Sequence, residues 1–238
     1  MRNDWSHNNS FVKHSIHYTD QFQEAKNYKK ALDYFQDTGN KYPVQDKEEL
    51  KEIINSCPAV ADLNFLNVSR ITDMSRIFEN SQFIGYISEW DVSNVKNMSL
   101  MFFRSRFNGD ISSWDVSNVE DMSFMFYASK FNGDISDWDV SNVKNMKCMF
   151  KSSLFNGDLS HWDVSNVEDM SQMFAYSDFD GTKGDIGNWD VGSLVYIYNM
   201  FENSNFTDRD ILVRWKNYQA PLMTDGTPES QAGLDVYD

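Results

Sequence analysis

Aspartates recur at fixed intervals through the middle of this 238-residue chain, and they are the first side chains able to do chemistry. One set comprises Asp110, Asp134, Asp158 and Asp185; a second follows tryptophan at Asp91, Asp115, Asp139 and Asp163. Stacked carboxylates suit two tasks, paired acid–base catalysis and coordination of calcium by hard oxygen ligands. Their context favours neither. A residue present in every unit is scaffold, and an Asp beside a turn ordinarily accepts backbone N–H bonds. Calcium-binding coils also carry denser Gly-Asp repeats than these. His14 and His17, with His7 nearby, have no Cys or carboxylate at metal-ligand spacing beside them. Cys57 and Cys148 are far apart, which predicts reduced thiols and neither a disulfide framework nor a metal cluster. No Gly-rich phosphate loop or nucleophile elbow occurs. The expectation is a non-enzyme with no catalytic residues, metal or cofactor.

The aspartates punctuate a longer repeat. Asp-Val-Ser-Asn-Val begins at Asp91, Asp115, Asp139 and Asp163, each time after a Trp, giving a period of 24 residues. A degenerate copy starts at Leu66, another follows at Trp189 after a three-residue insertion at 181–183, and Trp215 marks a partial turn. Within the unit 107–130, Asn108-Gly109 reads as a turn, and Ile111, Trp114 and Val116 predict a short extended segment. Val119, Met122, Met125 and Phe126 fall at helical spacing and predict a short helix, capped by Ser117 or Asn118.

One such unit cannot bury its apolar face alone. Stacking places Trp on Trp, Met on Met and Phe on Phe, each buried side chain contributing about 1.5–3 kcal/mol. The expected fold class is an α/β repeat solenoid. Lys96, Glu120, Lys144 and Glu168 alternate in sign from unit to unit, as side chains roughly 5 Å apart on neighbouring coils require.

Composition sets the outer limits. Eighteen Phe, eleven Tyr, seven Trp and twelve Met disfavour a helical bundle filled with Leu and Ala. A net charge of −15 argues against direct nucleic-acid binding, and the acidity is assigned to solubility. No signal-peptide pattern or apolar run of membrane-spanning length is present, which predicts a cytoplasmic protein without membrane insertion.

Phe-Asn-Gly-Asp-Ile, Trp-Asp-Val-Ser-Asn-Val and Met-Ser-x-Met-Phe, in that order over residues 45–215, resemble the BspA-like leucine-rich repeat surface protein family. The resemblance implies leucine-rich-repeat-like coils of a short strand plus a short helix, of bacterial or phage origin, serving adhesion or protein binding. It divides the chain into an extension at 1–44, a helical N-cap at 45–66, about six coils over 67–215 and a polar tail at 216–238. The extension holds an amphipathic helix starting near Asp20, with Phe22, Ala25, Tyr28, Leu32 and Phe35 on one side, expected to cap the coils.

Specificity on a repeated scaffold is written where the units differ. In Met-Ser-x-Met-Phe-x, the first variable row runs Arg76, Leu100, Phe124, Cys148, Gln172 and the second Glu79, Phe103, Tyr127, Lys151, Ala175. Leu100, Phe103, Phe124 and Tyr127 would form an apolar patch across two coils, a feature that marks partner sites or lies beneath the N-terminal helix. A further row precedes the tryptophans and contributes Glu89, Asp137 and His161. The expected function is a noncatalytic protein-binding module, an intracellular inhibitor or adaptor toward a host or defence protein. The alternative is a surface adhesin whose export signal lies outside this sequence.

Overall fold

The computed structural model describes residues 26–208, 210, 211 and 215. Helix α1 spans Lys26–Thr38 because Tyr28, Ala31 and Leu32 share one buried face, against which Phe35 also packs. It stops at Gly39, whose positive φ of 71° lets its N–H turn back to the Phe35 carbonyl at 2.8 Å. Strand β1 (Tyr42–Pro43) follows, then α2 (Lys47–Ser56), whose N-cap Asp46 accepts the Glu49 N–H at 2.9 Å. Strand β2 (Leu66–Asn67) pairs parallel with β1.

These elements close the N-terminal end of the repeats. Tyr42 and Val44 donate to the carbonyls of Phe65 and Asn67 at 2.8 and 3.1 Å, and the rings of Tyr28 and Phe35 both rest on Phe65. The described part of the extension and the 45–66 segment therefore form one cap. Lys30 of α1 pairs with Glu49 of α2 across it. Of the residues expected on the amphipathic helix, Phe22 and Ala25 lie outside the described residues.

Beyond the cap, each 24-residue unit lies parallel to the next. Bridges join Asp73 to Asn97, Asn97 to Asp121, Asp121 to Asn145 and Asn145 to Asp169. The side chain of each of these Asx residues accepts the N–H two residues on, as Asn97 does from Ser99 at 2.9 Å. The segment after each bridge is a ladder of turns. Met98, Leu100, Phe102 and Arg104 donate to Asp121, Ser123, Met125 and Tyr127 of the following unit at 2.8–2.9 Å. The intervening Met101, Phe103 and Ser105 donate three residues back, at 3.1–3.2 Å.

This corrects the expected strand-plus-helix coil. Over residues 67–208 no α-helix forms, and regular structure there is confined to β2 and a single 3-10 turn at Ile186–Asn188. The reason is spacing. Phe78, Phe102, Phe126, Phe150 and Phe174 stack with centroids 5.3–5.7 Å apart, whereas packed helices need roughly 8–10 Å between axes. Units this close can satisfy alternate N–H groups only across the gap, which a helix would retain internally.

Trp90, Trp114, Trp138 and Trp162 are buried, and each indole N–H donates to a carbonyl of the preceding unit: Leu63, Ile87, Ile111 and Ile135, at 2.9–3.2 Å. The alternating charges meet at Glu120, which lies 3.8 Å from Lys96 and 3.3 Å from Lys144. These pairs are exposed and are worth at most about 1 kcal/mol each.

At the C-terminal side, Trp215 stacks on Trp189 at 6.2 Å and donates to Ile186, extending the Trp side of the stack. On the turn side, the N–H groups of Ile197, Asn199, Phe201 and Asn203 have no acceptor among the described residues.

Candidate partner-binding surface

The turn ladder determines what its side chains do. Each Met-x-x-Met turn, and its variants Met74–Ile77 and Ile197–Met200, places its third residue in the left-handed region, so Arg76, Leu100, Phe124, Cys148, Gln172 and Asn199 have φ of 54–61°. Four residues later a second left-handed column runs through Asn80, Arg104, Ala128, Ser152, Tyr176 and Asn203, at 50–57°. None of the twelve is β-branched, because Val, Ile and Thr tolerate this conformation worst. The first column is the variable row singled out from the sequence. Sequence reasoning missed its backbone constraint, although the absence of β-branched residues carried the signal.

Leu100, Phe124 and Tyr127 are half-buried, while Phe103 is only 3% exposed. Phe103 is thus the floor of the patch and not part of its surface: Tyr127 stacks over it at 4.9 Å and the Arg104 guanidinium lies 5.3 Å from its ring. Phe124 leans on Tyr127 at 6.0 Å. The four expected residues are brought together on two adjacent coils. Flanking coils fill the same positions with polar pairs, Arg76 with Glu79 at 2.9 Å and Lys151 with Gln172 at 2.7 Å. Helix α1 packs at Phe65, at the capped end, and not on this patch.

Glu89, Asp137 and His161 are exposed in the column beside the tryptophans. Glu89 is engaged by the cap, its carboxylate 3.4 Å from Lys41. The structure does not gather these three into a pocket: each occupies the same position on a different coil.

The repeated aspartates are occupied locally. Asp110, Asp134 and Asp158 each accept the N–H of the Ser two residues on, at 2.8–3.0 Å. Those backbone bonds, helped by the Ser hydroxyls, hold the carboxyls below the usual range. Among the described residues no group of three or more His, Cys, Asp or Glu is placed to hold a metal ion. Burial pushes the Cys57 thiol up to about 12 and the Cys148 thiol to about 11, so neither is a thiolate near neutral pH. No described helix is long and apolar enough to cross a membrane.

No curated protein and no solved structure matches the chain. A family model described as "Mycoplasma protein of unknown function, DUF285" matches residues 48–154 and again 129–229, together well over half of the chain. The tandem match follows the repeat, the two spans overlapping within coils that carry the same motifs. By that coverage this protein belongs to the DUF285 family.

Proposed function

We propose that this protein is a noncatalytic, protein-binding repeat solenoid of the BspA-like leucine-rich-repeat kind, and that its partner docks on the Leu100, Phe124 and Tyr127 surface. One observation carries the reading: apolar side chains stand half-exposed on two coils at positions where other coils hold Arg76, Glu79, Lys151 and Gln172. Coil-to-coil bonding there runs through the backbone, so packing does not demand apolar residues. Aromatic anchors on a rigid support lose little conformational entropy on binding. The repeated carboxylates Asp110, Asp134 and Asp158 are engaged in turns, which supports a binding role over a catalytic one.

The test is the double substitution Leu100→Glu with Phe124→Glu. A partner recovered with the wild-type chain should lose more than about 2 kcal/mol of affinity, the usual size of a hot spot, with the melting temperature nearly unchanged. Unaltered affinity for that partner would overturn the proposal.

A further inference from the structure

The turn segments carry a charge pattern that the overall composition hides. Residues 98–106, 122–130 and 146–154 contain Arg104, Arg106, Lys130, Lys147 and Lys151 and not one carboxylate, in a chain of net charge −15. Cations and rings interleave there. Arg104 lies against Phe103, Phe103 stacks on Tyr127, and the Lys151 ammonium sits 5.9 Å from the rings of both Tyr127 and Tyr176. Three residues after Phe103 and Tyr127 in the same segments stand Arg106, whose guanidinium donates to the neutral Gln82 at 3.2 Å, and Lys130, one coil later at the same position. Among the described residues Arg106, Lys130, Lys147 and Lys151 make no salt bridge.

The contrast with cations elsewhere gives this meaning. Lys96 and Lys144 share Glu120, Lys47 meets Asp73, and Lys41 meets Glu89. In those places an acidic neighbour is supplied from within the chain. Arg106, Lys130, Lys147 and Lys151 are given no such salt bridge among the described residues, and the like charges Arg106 and Lys130 stand one coil apart.

Resting on the protein-binding reading above, we propose that this strip recognises an acidic segment of another protein, its Asp and Glu carboxylates meeting Arg106, Lys130 and Lys151 while an apolar or aromatic side chain seats on Phe124 and Tyr127. Three coils span roughly 10–15 Å, the length of an extended peptide of about four residues. Opposite charge within one Debye length, about 8 Å at physiological salt, guides such a segment onto the strip despite the chain's net charge. Nucleic acid is the less suitable occupant. Its phosphates continue beyond the strip, where Asp110, Asp134 and Asp158 recur on the same coils and would repel them.

A fluorescein-labelled peptide of alternating Glu and Tyr, titrated by anisotropy, tests the idea. Its affinity should exceed that of the Gln-Tyr counterpart by at least about tenfold and should weaken with salt. Arg106→Glu with Lys130→Glu, both exposed, should remove that preference without lowering the melting temperature, and Lys151→Glu provides a second reversal. Equal binding of both peptides, abolished by Leu100→Glu with Phe124→Glu, would overturn the acidic preference and leave the protein-binding reading standing. No peptide binding up to about 1 mM, a standard free energy of roughly −4 kcal/mol, would overturn the acidic-segment proposal while partner recovery tests the broader reading separately. Tighter binding of oligo(dT), or self-association dissolved by the charge reversals, would replace the proposed partner by nucleic acid or by a second copy.

Discussion

Each coil has a Trp-Asp segment and a turn segment, and the two are held together differently. In the first, order resides in side chains: the indole N–H of Trp138 reaches back to Ile111, and the Asn142 amide reaches Ser117 at 2.8 Å. Those residues repeat from coil to coil because each must fit two neighbours. In the turn segment, order resides in the backbone. Leu100, Phe124 and Cys148 differ completely as side chains, yet their N–H groups all donate to the next coil at 2.8–2.9 Å. A surface whose framework is carried by the main chain leaves its side chains free to differ, and that freedom is what recognition requires.

The contrast can be broken most forcefully at Trp138. Its replacement by Ala should cost about 3–5 kcal/mol, read as a large fall in melting temperature, because an aromatic and its hydrogen bond leave a closed core. A smaller effect is expected where backbone shape is the constraint. Leu100→Ile should destabilise by about 1–3 kcal/mol, since a β-branched residue is strained at a φ of 57°, while Leu100→Asn should cost less. If Ile and Asn proved equivalent by chemical denaturation, the left-handed column would not govern what is allowed there. The smallest effect concerns acid. Asp110, Asp134 and Asp158 have depressed folded-state pKa values, so their contribution is present above the unfolded pKa of about 3.9 and disappears as pH falls through the folded values. Replacing all three by Asn should flatten the decline of melting temperature below about pH 4. Their exposure keeps the effect modest.

The period, the Trp and Phe rows and the capping role of the aspartates were legible because stacking demands like residues at like places. The helix within each coil was misread for an instructive reason. A helix in every coil would need the Met-Phe segments of neighbouring coils about twice as far apart as strands, since packed helices lie roughly 8–10 Å from axis to axis. The Phe78-to-Phe102 distance of 5.3 Å decides the matter. Helical periodicity in Val119, Met122, Met125 and Phe126 arose instead from turns that return the chain inward every three or four residues. At the candidate site, ring types and rows were visible in the sequence. The burial of Phe103 was not, because it depends on Tyr127 one coil away. The cations of the turn segments were hidden by a net charge that averages over opposing regions.

The N–H groups of Met146, Cys148, Phe150 and Ser152 present the same pattern that Met170, Gln172, Phe174 and Tyr176 present to the coil after them. Each described junction along the turn ladder repeats the one before it, whereas β1 and the two helices finish the N-terminal end once. The ladder is therefore a ruler graduated evenly from a fixed N-terminal zero. Units can be added or removed as whole graduations of roughly 5 Å, each altering the reach of the surface while every existing junction keeps its form.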